Sequence, residues 1–145
     1  MGGSCRGGDR PLGGGAAMTL VLDSGGLSAL AGDRARLTAL RERGSWPPDV
    51  PAPVLTEALS GDHRRDVQAN RLLRACSVRD VGEVVARDAA RLRTATGRAG
   101  TISAVDAIVV AHAAGCPAPV VITSDPRDIR ALAELLPTPV RVVAT

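Results

Sequence analysis

Short apolar runs alternate along this chain with stretches of helical periodicity. TLVL (19–22) is a first strand whose apolar run suits a strand covered on both faces, APVVITS (118–124) is another strand, and VRVVA (140–144) closes the sheet. Apolar runs alternating with helical stretches are the pattern of an α/β fold with a parallel sheet. The expected architecture is therefore a three-layer α/β/α sandwich around a mainly parallel central sheet. With one Trp and no Phe or Tyr, its core must be built from Val, Leu, Ile and Ala. A chain of 145 residues is the usual size of one such domain.

The Gly-rich segment 1–17, MGGSCRGGDRPLGGGAA, has no periodicity and reads as a flexible tail. Met18, directly before the first strand, is a candidate start, and residues 18–145 form the expected domain. Further along, LSALAGDRARLTALRERG (27–44) reads as one amphipathic helix closing at Gly44. GSWPPDVPAP (44–53) is a Pro-rich loop able to hide a short strand around Val50. Helices are expected from Val54, over about 64–75, over 82–97, over 103–114 and over 126–136, with a brief strand near Val78.

Composition excludes several chemistries. All 18 basic residues are Arg, so no Schiff-base lysine or Walker-type phosphate loop is available. Cys5, Cys76 and Cys116 are widely spaced and form no CxxC pair, which argues against a disulfide scaffold or structural zinc and suits a reducing cytoplasm. No apolar run reaches membrane-spanning length, and the N-terminus lacks the unbroken apolar segment of a signal peptide. The net charge of +3 permits a polyanionic partner. The lack of aromatics argues against a base-stacking platform, so any nucleic acid would be held through its phosphates.

Four acids share an unusual address. Asp23 ends the strand TLVL, and Asp125 follows the strand APVVITS in the same way. In open α/β sheets, ligands sit beyond the carboxyl ends of strands where the strand order reverses. Two carboxylates there repel each other unless a cation lies between them. Asp106 and Glu57 each fall in the first turn of a helix that starts at such an end. Oxygen ligands without His or Cys suit Mg²⁺ or Mn²⁺ better than zinc. Each acid also has a purely structural reading. Ser103-Ala-Val-Asp106 has the spacing of a capping box, Asp125-Pro126 that of an N-cap followed by proline, and Asp23 and Glu57 suit helix starts.

The segments LVLDSGGLSAL, APVLTEAL, TISAVDAIVVAHAA and VVITSDPRDIRAL, in that order, resemble the successive motifs of PIN-domain ribonucleases. The compact size resembles the VapC-type toxins of bacterial toxin–antitoxin pairs. The resemblance runs from about Met18 to Val143. It implies a PIN-like fold and a metal-dependent endoribonuclease that hydrolyses RNA phosphodiester bonds. Asp23, Asp106 and Asp125 would be ligands of Mg²⁺ or Mn²⁺, with Glu57 as the fourth catalytic acid, directly or through water. Ser24, Thr123 and Asp128 would support them. Ile129 departs from the pattern, since an aromatic is common there. The resemblance also implies a VapB-type antitoxin partner, a homodimer and no membrane association.

Arg64, Arg65, Arg71 and Arg91 are candidate RNA contacts, weighed against a merely solvated helix face. His112 falls on a different helix face from Asp106 and reads as a structural histidine. Trp46, before Pro47 and Pro48, is either a partner contact or a loop anchor. A phosphatase of the dehalogenase type would need an acid two residues after Asp23, where Gly25 stands. The alternative to the nuclease is a catalytically silent PIN-like module that binds RNA or protein.

Overall fold

The computed structural model describes residues 17–145, and the expected tail otherwise lies outside the described residues. In chain order the elements are β1 (Thr19–Leu22), α1 (Ser24–Ala31), α2 (Arg34–Glu42) and β2 (Asp49–Pro51). A 3-10 turn (Ala52–Val54) leads into α3 (Leu55–Ala58) and α4 (Val67–Leu73), followed by β3 (Ser77–Arg79) and α5 (Glu83–Ala95). The chain closes with α6 (Ala104–Ala114), β4 (Pro119–Thr123), α7 (Pro126–Ala133) and β5 (Arg141–Ala144).

Every strand pairing is parallel, and the sheet order is β3-β2-β1-β4-β5. Such a sheet requires a crossover between each successive pair of strands, and right-handed crossovers divide the helices between its two faces. α1 packs with α4, while α6 packs with α5 and α7. The three-layer reading holds, and the sheet is parallel throughout. The core is aliphatic as composition required: Leu20, Val21, Leu22, Val50, Val121 and Ile122 line the sheet centre, all essentially inaccessible.

The long helix expected over 27–44 is instead two helices. Gly32 closes α1, and the Asp33 side chain accepts a hydrogen bond from the Arg36 N–H to start α2. Capping at Asp33 outweighs the continuous apolar period, because an N-cap satisfies backbone donors that the period ignores. The helix expected from about residue 64 begins later, at Val67. The Asp66 carboxylate explains this: it accepts from the backbone N–H groups of Ser60 and Gly61 and from the Ser60 hydroxyl. These bonds hold the 60–66 turn outside the helix and keep the Asp66 carboxyl below the ordinary range. Trp46 anchors its loop, packed on the core with the Arg41 guanidinium 4.7 Å from the centroid of its half-buried ring.

β1 and β4 lie side by side in the register Leu22↔Ile122. Strand order reverses between them, which makes their carboxyl ends the switch point of the sheet. α1 starts there, pressed against β4. A Cβ on Gly26 would lie 2.1 Å from the Ile122 carbonyl oxygen, and one on Gly25 would lie 1.9 Å from the Ser124 hydroxyl. Gly26→Ala is therefore expected to destabilise the fold by about 2–4 kcal/mol, since a main-chain carbonyl cannot step aside. Gly25→Ala should cost less, since its severest clash is with a hydroxyl that can rotate, but not nothing, because the Ser124 Cβ at 2.9 Å and backbone nitrogen at 3.1 Å cannot. Urea unfolding of the two variants checks the order.

Candidate functional site

Asp23 is the residue at which β1 hands over to α1. Its backbone is extended, its carbonyl accepts from the Leu27 N–H, and its Oδ1 accepts from the Gly26 N–H at 2.7 Å. The capping reading of Asp23 is thus correct as far as one oxygen goes. Capping does not explain the burial. Asp23 is 5% exposed, and a carboxylate so placed is expensive without a counter-charge.

Three further acids approach the same end of the sheet. The charges of Glu57 and Asp125 act on Asp23, and those of Asp23, Glu57, Asp128 and Asp125 act on Asp106. Glu57 projects from the single turn of α3. Its Oε2 accepts from the Ser24 hydroxyl at 3.2 Å and its Oε1 from the Ser103 hydroxyl at 3.3 Å. Asp125 stands at the N-cap position of α7 with Pro126 at the first helical position, yet its side chain makes no capping bond. Its exposed carboxylate remains available. The Thr123 hydroxyl links two of the acids, bonding the Asp23 carboxylate and accepting from the Asp125 N–H at 3.1 Å. Asp128 pairs with the Arg98 guanidinium at 2.8 Å. Ile129, at the position where an aromatic was expected, is fully buried in the core.

This crowding of negative charge shows in the titration of the acids. Burial pushes the Asp23 carboxyl above its ordinary value, the Thr123 and Gly26 hydrogen bonds oppose the shift, and Glu57 and Asp125 add to it. Burial and the four neighbouring carboxylates push Asp106 up to about 6. The donors that offset the charge of Asp23 are thus neutral groups. A cation held by oxygens fits this donor set better than any arrangement of the acids alone.

The proposed arginine contacts do not make one patch. Arg64 and Arg65 lie in the turn before α4, where Arg65 pairs with Asp62 at 3.8 Å. Arg71 lines a groove of about 360 Å³ between α2 and α4, together with Arg34 and Arg41. Arg91 belongs to α5, on the opposite face of the sheet, and pairs with Asp88.

A second group escaped the sequence reading. Among the described residues, Asp49, His112 and Cys116 bring ligand-type atoms within 4.8 Å of one another, but the Cys116 sulfur is disulfide-bonded, against the expectation from cysteine spacing, and offers no thiolate to a metal. Asp49 is fully buried. Its Oδ2 lies 3.0 Å from the His112 ring nitrogen and its Oδ1 3.4 Å from the Arg79 guanidinium. His112 is thus the structural histidine expected from its helix face, bonded to a carboxylate that sequence reasoning left in a loop. Nothing local marks Asp49, because its burial follows from β2 lying between β1 and β3. Cys76, half-buried, has its thiol pushed up to about 12 by burial, which leaves it without nucleophilic character at neutral pH.

A five-stranded parallel sheet in this order, with acids gathered at its switch point, is the PIN-like α/β fold. Three solved structures share it. DNA-bound VapBC from Salmonella typhimurium matches at a TM-score of 0.66 and 16% identity, over 88% of this chain and 98% of that one. VapBC2 from Rickettsia felis, bound to a DNA fragment of its promoter, matches at 0.65 and 14% identity, over 87% and 99%. PAE2754 from Pyrobaculum aerophilum matches at 0.56 and 17% identity, over 86% and 84%. No protein-family model and no curated protein matches the sequence. At these identities the likeness is one of fold.

The raised Asp106 carboxyl carries a stability consequence. The folded state binds a proton there up to about pH 6, whereas the unfolded chain releases it near 3.8. Stability therefore falls as pH rises through that window. A full two-unit shift corresponds to about 3 kcal/mol, and solvent screening at this half-buried site reduces it to about 1–2 kcal/mol. In metal-free protein, Asp106→Asn should raise stability by that amount at pH 7 and leave it nearly unchanged below pH 4. Thermal melts at the two pH values test this.

Proposed function

We propose that this protein is a metal-dependent endoribonuclease of the VapC type, acting through Asp23, Glu57, Asp106 and Asp125. The observation that carries the reading is the pair Asp23 and Asp106, two carboxylates held at the switch point of the sheet with their pKa values raised by burial and by other acids. Structural caps have no need of such a charge excess. Asp23, Asp106 and Asp125 would hold Mg²⁺ or Mn²⁺, with Glu57 completing the set directly or through water. The bound ion would supply activation of a water and neutralisation of charge on the scissile phosphate.

The protein's own part is to hold these ligands still and to admit a phosphate backbone. Thr123 fixes the Asp23 carboxylate, and Ser24 and Ser103 fix Glu57. Asp128 and Arg98 form an ion pair at the rim, where the arginine moderates the negative field met by an incoming phosphate. Arg64, Arg65, Arg71 and Arg91 are proposed RNA contacts on the surrounding helices.

Two of the neighbouring folds come from VapBC complexes, which supports a VapB-type antitoxin as the cognate partner here. A homodimer and a cytoplasmic location belong to the same reading. Among the described residues no helix is long and apolar enough to cross a membrane.

Asp23→Asn is the decisive variant, because Asn is as good an N-cap as Asp and leaves the start of α1 intact. Outer-shell partners of a metal typically matter by about 10–100-fold, so loss of a direct ligand should slow cleavage at least about 100-fold. The measurement is cleavage of a mixed RNA pool with Mn²⁺ or Mg²⁺ and with chelator. Wild-type protein that neither cuts nor binds the ions would instead be the silent binding module.

A further inference from the structure

Glu57 is exposed, has the longest side chain of the four acids, and stands on a helix of a single turn. A glutamate so placed would sample several rotamers, with an entropic cost each time it is recruited. Two hydroxyls prevent this. The Ser24 hydroxyl, from the first residue of α1, reaches Oε2 at 3.2 Å, and the Ser103 hydroxyl, from the N-cap of α6, reaches Oε1 at 3.3 Å.

The Ser103 hydroxyl is itself constrained. A serine hydroxyl has one proton to donate and two acceptor positions. The Ser103 Oγ accepts from the Val105 N–H at 3.1 Å and from the Asp106 N–H at 3.4 Å. With both acceptor positions used by the helix start, its one proton is directed at Glu57. One atom thus joins the main chain of Asp106 to the side chain of Glu57, although the two acids come from separate helices. Ser103 is the N-cap that its spacing suggested, and the same hydroxyl also reaches Glu57.

We propose that Ser103 is a positioning residue that orients Glu57 toward the cation site, a role resting on the four-acid reading above. Its loss frees one oxygen of Glu57 while leaving every carboxylate in place. Ser24 secures the other oxygen.

The test is Mn²⁺ titration by calorimetry on the full chain, together with RNA cleavage kinetics. Ser103→Gly is the main variant, since glycine serves as an N-cap nearly as well as serine but has no hydroxyl. Ser103→Ala and Ser103→Thr accompany it, with thermal melts to confirm folding. We expect Ser103→Gly and Ser103→Ala to weaken Mn²⁺ binding about fivefold and to lower kcat with little change in KM, and Ser103→Thr to restore both. In a Glu57→Gln background, Ser103→Gly should have no further effect on Mn²⁺ binding. An equal effect in both backgrounds would reduce Ser103 to a cap and overturn the proposal, as would unchanged Mn²⁺ binding in Ser103→Gly. Wild-type protein that binds no Mn²⁺ overturns both this inference and the nuclease reading.

Discussion

Desolvation of a carboxylate is the constraint around which this fold is arranged. Asp23 terminates the central strand β1 and lies 5% exposed, where its charge is hard to maintain. The structure supplies part of the compensation through the Gly26 N–H and the Thr123 hydroxyl, then adds further acids within electrostatic reach. A fold selected for stability alone would not place Glu57, Asp106 and Asp125 around a buried Asp23. The excess negative charge is what the proposed cation site would require.

Strand order makes the concentration possible. With β1 beside β4, the chain leaves the sheet on opposite sides of one crevice, so residues about a hundred positions apart meet. The glycine pair at 25 and 26 then lets α1 start close against β4, because any side chain would strike the Ile122 carbonyl or Ser124. The hydroxyls of Ser24, Ser103 and Thr123 arrive with those same helix and strand ends. The same charge problem is solved differently at Asp49, where His112 and Arg79 lie against a fully buried carboxylate. That contrast is instructive: one buried acid is given cationic or ring-nitrogen partners, and the other is given more acids.

Two expectations failed for the same physical reason. The helix over 27–44 divided at Gly32 and Asp33, and the helix from 64 retreated to Val67 behind the Asp66 turn. In both cases an aspartate found backbone N–H donors that a hydrophobic period cannot register. The strands were more legible. β1 lies over 19–22, as expected, since a short aliphatic run covered on both faces leaves few other conformations open, and β3 includes Val78, also as expected, although it is a partly exposed edge strand.

The sequence by itself determined the class of fold, the aliphatic core and the position of four acids at or near helix starts. These are local properties, written in apolar periods, caps and prolines. Only the tertiary structure decided that Asp23 is buried, that Asp106 feels four other carboxylates, and that Glu57 is held between two hydroxyls from α1 and α6. It also decided that Asp49 and His112 are partners. Desolvation and charge–charge coupling depend on distances between residues far apart in the chain, and those distances exist only once the sheet has assembled.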